Sequence, residues 1–408
     1  MVKTIAKDKE TGTAILDVPT ITVGIFGHID HGKTTLLYKL SGKWTDTHSE
    51  EMKRGITIKL GYADIVLSKD SSGYNKEGRG EAVRHVSFVD APGHEMLMST
   101  MLSGAALVDV AILVVAANEG IKPQTREHLM ALQAKRVSRL IVVQNKIDLA
   151  SKEQALKNYT AIKELLKEAY VDAPIIPVSA QQGVNLESIY EALAEILLPV
   201  RSDSGTPLFV VARSFDINRP GTVPATLHGA VLGGTLKRGS LKVGDSIEIK
   251  PGRIIKEANQ YHYRPLTASV LALFNGSNSV ETLTPGGSMS IETSLDMALG
   301  RNDLLAGNVV STVGGLSEPT MELHVRFTLF PQYFLSSGVS QKTEMIKPSE
   351  MLMLSIGSSI SGGVVKHVKG EVIDLSLKVP VVAGKGENVA LARQVQGHWR
   401  LIGYGEII

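Results

Sequence analysis

Apolar and polar positions follow two different patterns along this chain. In its first half, continuous apolar runs are separated by segments with helical periodicity. The apolar runs predict buried strands at residues 21–26, 85–90, 110–117, 140–144 and 175–178. The periodic segments predict helices at residues 35–40, 123–134, 151–170 and 185–197. Because this alternation builds a parallel-rich sheet with helices on both faces, it predicts an α/β domain over residues 1–203.

The second half of the chain consists of short apolar runs divided by glycine and proline. One group predicts strands at residues 208–211, 225–232, 246–249, 269–273 and 289–291. Another group predicts strands at residues 322–329, 352–356, 362–368, 371–378, 388–393 and 399–405. Turn-rich segments at 201–207 and 316–319 separate the groups. We therefore predict two β-barrel domains, residues 204–318 and 319–408.

Charge and composition limit the partners and the compartment. The chain has 43 Lys and Arg against 41 Asp and Glu, so binding of a nucleic acid would depend on local patches. It has no cysteine, which excludes disulfides and thiolate metal sites and favours a reducing cytoplasm. No apolar run is long enough to span a bilayer, so we predict a cytoplasmic protein without a membrane partner. Residues 68–84, rich in serine, glycine and charge, predict an exposed loop.

Residues 27–34 (GHIDHGKT) fit the phosphate-binding pattern GxxxxGK[ST]. The pattern lies between a predicted strand and a predicted helix, where backbone N–H groups and the helix dipole favour an anion. Lys33 would reach the β- and γ-phosphates, and the Thr34 hydroxyl would hold Mg²⁺. The alternative is a glycine-rich turn that matches by chance. The predicted phosphate-binding residues in this segment are Asp30, His31, Gly32, Lys33, Thr34 and Thr35.

A second phosphate-site motif, DxxG, follows the strand at residues 85–90. In phosphate-loop GTPases the aspartate of this motif holds Mg²⁺, and the glycine amide senses the γ-phosphate. Asp90 and Gly93 occupy these positions here. The alternative is a strand-to-turn junction in which Asp90 caps a helix.

The tetrapeptide from Asn145 to Asp148 (NKID) indicates the base. A carboxylate can accept hydrogen bonds from both N1–H and the N2 amino group of guanine, which adenine does not offer. A site built on that pair rejects the wrong base by roughly 10⁴-fold. Asn145 would bond the guanine edge, the Lys146 stem would cover the base, and a backbone amide of Ser179 or Ala180 would bind O6. The predicted guanine site comprises Asn145, Lys146, Asp148, Ser179, Ala180 and Gln181, and the predicted nucleotide is GTP or GDP.

These motifs resemble those of translational GTPases, which are built as a G domain followed by two β-barrels. Residues 27–35, 54–58, 90–94 and 145–148 carry that resemblance. A finer resemblance, to the gamma subunit of the archaeal and eukaryotic translation initiation factor two, rests on residues 48–63, 103–119, 215–221 and 400–405. The compact length favours the archaeal form.

The resemblance implies a function and a set of partners. It implies a GTPase subunit of a heterotrimer, with an alpha subunit on the second domain and a helix of a beta subunit on the G domain. This subunit would bind methionylated initiator tRNA with GTP, deliver it to the small ribosomal subunit, and release it when GTP is hydrolysed to GDP and phosphate. No arginine finger is identifiable, so we expect slow intrinsic hydrolysis.

The resemblance also assigns catalytic roles. Thr57 would complete the Mg²⁺ shell in the GTP state, the alternative being an ordinary strand residue. His94, with Asp90 and Thr57, would be catalytic, because it would orient the attacking water; the alternative is a surface switch residue. Ile29 and Ile56 would form an apolar gate in front of His94.

A second magnesium site and a tRNA contact are further expectations. Asp30, with the Gly55 carbonyl, would hold a second Mg²⁺, or Asp30 would only shape the loop. Tyr62 would stack on the terminal adenosine of the tRNA, or would only pack. Other candidate tRNA contacts are basic residues on barrel turns, which are often merely solvated: Lys237, Arg238, Lys250, Arg253 and Lys256.

One feature departs from the family pattern. Many members carry a four-cysteine zinc knuckle before the DxxG strand, whereas residues 68–84 contain no cysteine, so we predict no zinc. Two rival interpretations remain: a selenocysteine-specific or general elongation carrier, and the GTPase subunit of a sulfate-activating enzyme. The family context of residues 48–63 and 90–95 favours initiation over both.

Overall fold

The first folded unit is a seven-stranded sheet with helices on both faces. The computed structural model describes residues 18–45, 57–257, 260–335 and 337–408. The sheet has the order β3-β2-β4-β1-β5-β6-β7, in which β2 pairs antiparallel with both β3 and β4, and the remaining neighbours pair parallel. Its strands are β1 (Thr20–Gly27), β2 (Gly61–Asp70), β3 (Gly73–Asn75), β4 (Glu81–Asp90), β5 (Val110–Ala116), β6 (Arg139–Asn145) and β7 (Ile175–Pro177).

Five helices cover this sheet in the described part of the chain. They are α1 (Lys33–Ser41), α2 (Met98–Ala105), α3 (Pro123–Ala134), α4 (Lys152–Leu166) and α5 (Glu187–Glu195). Apolar side chains of α1 and α5 pack on one face of the sheet, and those of α2, α3 and α4 pack on the other. This arrangement confirms the predicted α/β domain. It also gathers the carboxyl ends of β1, β4, β5 and β6 at one edge, where such sheets bind ligands.

The prediction of an exposed loop at residues 68–84 was wrong. Strand β2 continues to Asp70, β3 forms a hairpin with it, and β4 already begins at Glu81. The Asn75 side chain is buried and organises the turn, because its amide donates to the Arg79 carbonyl (3.0 Å) and its oxygen accepts from the Arg79 N–H (3.1 Å). Strands at a sheet edge often carry charged residues. The polar composition of this segment therefore does not distinguish a hairpin from a loop.

The second unit is a closed six-stranded barrel, called the first barrel below. Strands β8 (Leu208–Phe215), β9 (Val231–Arg238), β11 (Ser246–Glu257), β12 (Gln260–Asn275), β15 (Met289–Thr293) and β16 (Val309–Thr312) form a ring that the β11–β12 pairing closes. Short strands flank it: β10 (Leu241–Lys242), β13 (Asn278–Val280) and β14 (Thr282–Leu283). The strand predicted at 225–232 was mostly wrong, because β9 begins only at Val231 after a short 3-10 helix, Pro224–Thr226.

The third unit, called the second barrel, is also closed and six-stranded. Its strand order is β17-β22-β21-β20-β23-β24. The strands are β17 (Thr320–Leu329), β20 (Met351–Ile356), β21 (Ser359–Lys369), β22 (Val372–Val381), β23 (Asn388–Val395) and β24 (His398–Ile407), with a small pair outside the ring, β18 (Gln332–Phe334) and β19 (Ser340–Lys342). The two closed barrels confirm the predicted fold class.

The predicted domain boundaries at 203/204 and 318/319 fall between elements. Helix α5 ends at Glu195 before β8 begins, and β16 ends at Thr312 before β17 begins. None of the helices in the described ranges has both the length and the apolar character of a membrane span.

Candidate nucleotide site

The phosphate loop joins β1 to α1 at the ligand-binding edge of the sheet. Gly32 has φ 88°, and Asp30 has φ 60°, so the loop turns through left-handed backbone conformations. A Cβ at Gly32 would lie 2.4 Å from the Asn145 amide nitrogen, so this position admits only glycine. The loop ends at the first residue of α1, where N–H groups of the helix N-terminus are available to an anion.

Lys33 lies between the phosphate loop and the DxxG motif. Its ammonium donates to the His28 carbonyl at 2.9 Å, and its side chain is buried. A Cβ added to Gly93 would lie 2.5 Å from this nitrogen and 3.1 Å from the Ile29 backbone nitrogen. The two motifs, which are separated by β2, β3 and β4 in the sequence, therefore meet around one ammonium group.

Side-chain oxygens from three segments converge beside Lys33. The Thr34 hydroxyl donates to Asp90 Oδ2 at 3.0 Å and lies 3.3 Å from Thr57 Oγ1. The Asp90 side chain is fully buried at the end of β4. Hydroxyl and carboxylate oxygens are the ligands that Mg²⁺ prefers, so this set fits the predicted magnesium ion. The Thr45 hydroxyl also donates to Asp90 Oδ2 (3.2 Å), a contact that the sequence did not indicate.

Three histidines pack beneath the phosphate loop. His31 is fully buried, with Nδ1 3.2 Å from the Val114 carbonyl, and its ring meets His28 edge-on at 5.1 Å. His128, on α3, accepts a hydrogen bond from the Gly27 N–H (2.9 Å). Burial lowers the pKa of His31 to about 4 and the pKa of His128 to about 3. These rings are therefore neutral packing groups, and the predicted phosphate contact of His31 would come from its backbone.

Asn145 ties the phosphate loop to the segment after β7. Its buried amide donates to the His31 carbonyl at 2.9 Å, and its oxygen accepts from the Ala180 N–H at 3.0 Å. This positions both loops, a role that the motif alone did not predict. The Ala180 amide that we expected at guanine O6 is thus engaged by Asn145 in this structure. The base contacts of Asn145, Ser179 and Ala180 stay predictions.

The rest of the predicted guanine site lies at the same edge. Lys146 has φ 60°, and its ammonium bonds Glu119 Oε1 at 3.0 Å. The sequence analysis did not predict this role for Glu119, because Glu119 lies in the loop after β5 and belongs to none of the recognised motifs. The side chains of Asp148 and Gln181 are exposed and Ser179 is buried, as a base bound at the surface of the loops would require.

His94 forms part of the turn after the DxxG glycine. Its Nδ1 accepts from the Met96 N–H at 3.3 Å and caps a short 3-10 helix, Glu95–Leu97. The water-orienting role stays a prediction. Ile29 is partly buried in the phosphate loop, whereas Gly55 and Ile56, the proposed second-magnesium ligand and gate partner, lie outside the described residues.

Tyr62 points into the junction between the G domain and the first barrel. Its hydroxyl is buried without a hydrogen-bond partner among the described residues. Burial raises its pKa, and Arg213 and Asp303 of the first barrel lie close enough to influence it. This placement favours the packing alternative in the present conformation, and stacking on an adenosine stays a prediction.

The basic residues considered as tRNA contacts do not form one patch. Lys250 is buried and pairs with Glu318 at 2.8 Å, whereas Arg253 is exposed. Lys237 and Arg238 line a cavity between the domains. The side chain of the fifth candidate, at position 256, is outside the described part of the structure.

Comparisons with known proteins agree with this architecture. The family model "Elongation factor Tu GTP binding domain" matches residues 18–199, and "Initiation factor eIF2 gamma, C terminal" matches residues 321–407. Translation initiation factor 2 subunits gamma from Archaeoglobus fulgidus and Pyrococcus furiosus are both 46% identical to this chain. The alignment with the Archaeoglobus subunit covers 96% of this chain and 95% of that subunit. The alignment with the Pyrococcus subunit covers 95% of this chain and 97% of that subunit. The Methanocaldococcus jannaschii subunit is 44% identical, with 95% of this chain and 97% of its own length covered.

Solved structures show the same fold at lower identity. A bacterial selenocysteine-specific elongation factor, EF-Sec, has a TM-score of 0.75, covering 95% of this chain and 58% of its own. The elongation factor SelB from Methanococcus maripaludis, in complex with the GTP analogue GppNHp, has a TM-score of 0.73, covering 96% and 80%. Each is 22% identical, so this likeness concerns the fold alone.

The GTP-binding domain and the converging site residues together define a translational GTPase, as predicted. The chain belongs to the family of translation initiation factor 2 gamma subunits, and it is therefore a GTP-binding factor of translation initiation.

Proposed function

We propose that this chain is a GTP-controlled carrier of methionylated initiator tRNA. The observation that carries the proposal is the convergence of Thr34, Thr57 and Asp90 beside Lys33, with the DxxG glycine against the phosphate loop. Each of the three residues Thr34, Thr57 and Asp90 belongs to a different segment of the chain. A γ-phosphate and its Mg²⁺ would therefore hold three segments together, and hydrolysis would release them.

Each residue has a defined part in this proposal. Thr34 and Thr57 contribute hydroxyl oxygens to Mg²⁺, and Asp90 acts on the ion directly or through water. Lys33 neutralises charge on the β- and γ-phosphates. Asp148 accepts both guanine hydrogen bonds. Asn145 holds the phosphate loop and the segment after β7 in fixed relative positions, through its bonds to His31 and Ala180.

Hydrolysis requires a positioned water next to the γ-phosphate. We propose that His94 orients it when the turn that His94 now caps rearranges. In the present arrangement its Nδ1 is already occupied by the Met96 amide, which agrees with slow intrinsic hydrolysis. A second Mg²⁺ at Asp30 and Gly55, and a gate made by Ile29 and Ile56, complete the proposed switch.

The partners follow from the family. Its relatives are named as gamma subunits, so we propose that the chain assembles with alpha and beta subunits and acts at the small ribosomal subunit. The alpha subunit would occupy the first barrel and a beta-subunit helix the G domain. Tyr62 remains the proposed contact for the terminal adenosine once the junction with the first barrel opens.

Nucleotide specificity is tested first with Asp148→Asn. An asparagine cannot accept both guanine N–H bonds but can donate to the C2 carbonyl of xanthine. GTP affinity should therefore fall by at least roughly 100-fold, while XTP affinity rises. Asp172→Asn, an exposed aspartate elsewhere in the G domain, is the matched control and should change neither affinity. Unchanged GTP binding by the Asp148 variant would remove the guanine assignment.

The carrier function is tested by filter binding. The assay compares methionylated initiator tRNA with methionylated elongator tRNA, in GTP and in GDP, with and without an alpha subunit. Preference for the initiator tRNA that appears only with GTP is the expected result. Equal binding of both tRNAs would instead favour an elongation-type carrier, and binding of neither would refute tRNA carriage.

A further inference from the structure

A cavity of about 300 Å³ lies where the three folded units meet. The G domain contributes Lys135, the first barrel contributes Lys237 and Arg238, and the second barrel contributes Glu387. The other lining residues include aliphatic side chains, such as Val210, and polar ones, such as Ser358 and Asn388. The cavity is separate from the nucleotide site, since no residue of the phosphate loop, the DxxG motif or the predicted guanine site lines it.

Two of its cations have no hydrogen bond or ion pair to the residues that the structure describes. The Lys237 side chain is accessible to solvent, yet burial by the surrounding units lowers its pKa. Lys237 and Arg238 are both exposed, and both line the cavity. Within the described ranges, the Lys237 and Arg238 side chains make no hydrogen bond or ion pair. The carboxylate of Asp109 is close enough to raise the pKa of Lys237, but it forms its ion pair with Arg201.

The backbone that carries these two cations is held firmly. They end β9 immediately before Gly239, which has φ 72°. A Cβ at Gly239 would lie 2.6 Å from the Pro207 Cα, so the turn packs directly against the start of the first barrel. The turn therefore fixes the backbone positions of the two residues.

Lys135 approaches from the opposite wall. Its ammonium donates to the Ser355 hydroxyl (2.7 Å), the Ser355 carbonyl (3.0 Å) and the Gly357 carbonyl (3.1 Å). All three acceptors are neutral, so its positive charge is uncompensated by them. Burial, with Lys237 adding to the effect, lowers the pKa of Lys135 to about 7.

Glu387 is the only carboxylate that lines the cavity in the described part of the chain. Burial raises its pKa, which Arg238 and Lys135 oppose. Two lysines and one arginine thus face one carboxylate in a confined space. Like charges gathered in such a space repel one another and raise the local concentration of anions.

We propose that this cavity binds a small organic phosphate, with its dianion held by Lys237 and Arg238 and facing Lys135 across the cavity, and with its carbon skeleton against the aliphatic residues of the wall. The volume is at the lower end for small-molecule sites and suits a phosphate monoester of a few carbons, not a nucleic acid strand. Because the cations come from two units, the ligand would bind the G domain and the first barrel together. The proposal is independent of the tRNA-carrier function.

Isothermal titration of glycerol 3-phosphate into the full chain tests the proposal. Saturating GDP and Mg²⁺ keep the nucleotide site filled, and glycerol is the uncharged control. We expect saturable binding of one molecule per chain, and a weakening of at least tenfold in Lys237→Gln/Arg238→Gln. Lys242→Gln, an exposed lysine of the same barrel, should leave the affinity unchanged. The conservative Lys237→Arg should keep most of it.

Several outcomes would overturn the proposal. These are heat no greater than with glycerol, an equal weakening in the Lys242 variant, or displacement of glycerol 3-phosphate by a 5′-phosphorylated RNA oligonucleotide, which would identify a nucleic acid site instead. Thermal unfolding gives a second readout, because a ligand that joins two units raises the melting temperature of the wild type. A rise in the double variant equal to that in the wild type would also contradict the assignment.

Discussion

Replacing Arg400 with methionine removes the guanidinium that links the second barrel to the G domain. Arg400 lies on β24 and is only 2% exposed. It donates to Glu127 Oε1 on α3 at 3.0 Å and to Glu95 Oε2, next to the proposed catalytic histidine, at 2.6 Å. His398 Nδ1 also lies near Glu95, 4.0 Å from Oε1. Methionine fills a similar volume, so the packing is largely kept while the charge is lost.

The magnitude follows from the burial of both partners. Two opposite charges about 4 Å apart attract by about 4 kcal/mol at an effective dielectric constant of about 20. Removing one partner of a buried pair typically costs about 3–5 kcal/mol, since the other charge is left in the interior. A loss of about 3 kcal/mol in a domain of this size lowers the melting temperature by roughly 6–12 °C.

The loss should grow with pH. Burial raises the pKa of Glu127 from 4.5 to about 7, although the Arg400 guanidinium opposes that shift. For an acid with a raised folded-state pKa, the folded state holds the proton more tightly, so the associated stability is present at low pH and disappears as pH rises through that pKa. Without Arg400 the pKa of Glu127 rises further. The gap between wild type and variant therefore widens above pH 7, by at most about 1.4 kcal/mol per pH unit.

Calorimetric unfolding of the full chain with GDP and Mg²⁺ at pH 6, 7 and 8.5 measures this effect. Arg136→Met is the matched control, because Arg136 bridges the same two units to Glu406 at 2.7 Å but is exposed. It should cost less than about 1 kcal/mol. Arg400→Met/Glu127→Gln should recover part of the loss, since no buried charge remains unpaired on α3. The reasoning fails if Arg400→Met costs no more than the control, if the deficit is independent of pH, or if the double variant is less stable than Arg400→Met.

Three further predictions concern the nucleotide site and its surroundings. Gly93→Ala would place a Cβ 2.5 Å from the Lys33 ammonium. GTP affinity should therefore fall more than GDP affinity in fluorescent-nucleotide titrations. Equal losses would argue against a contact with the γ-phosphate. His128→Leu leaves the Gly27 N–H buried without its acceptor and should cost about 1–3 kcal/mol in thermal unfolding at pH 7.5. Since burial lowers the pKa of His128 to about 3, its stability contribution is present above pH 6.5 and declines as pH falls below that, and the variant should lose this part of the acid sensitivity. Asp303→Asn weakens the 2.8 Å ion pair with Lys59, so hydrogen exchange of residues 57–60 should speed up several-fold, and an unchanged rate would show that the pair does not restrain that segment.

Much of the site was predictable because its signals are local. The phosphate loop needs glycine where the backbone is left-handed, as at Gly32, and a strand and a helix on either side. Asp90 and Asn145 each end a buried strand, and parallel strands bring such ends to one edge of a sheet. A short window of sequence contains both kinds of information, which is why the sequence alone predicts that Thr34 and Asp90 share one magnesium site.

Polar composition was a poor guide where it stood alone. The segment at 68–84 was predicted as a loop but contains an edge hairpin, since edge strands carry polar residues for the same reason that loops do. The basic residues considered as one tRNA surface lie in three different environments. Lys250 is buried and paired with Glu318, Arg253 is exposed, and Lys237 and Arg238 line the cavity. Charge alone does not tell a solvated side chain from one enclosed by other domains.

Local patterns along the chain are sufficient to predict the α/β domain, the two barrels and the motifs of the nucleotide site. Which distant groups meet depends on how the domains pack. Arg400 and Glu127 are 273 positions apart, and the cavity joins residues from all three units. The physical reason is that glycine conformations and apolar periodicity act over a few residues, whereas pairing of buried charges depends on how whole domains pack. No local pattern records that choice.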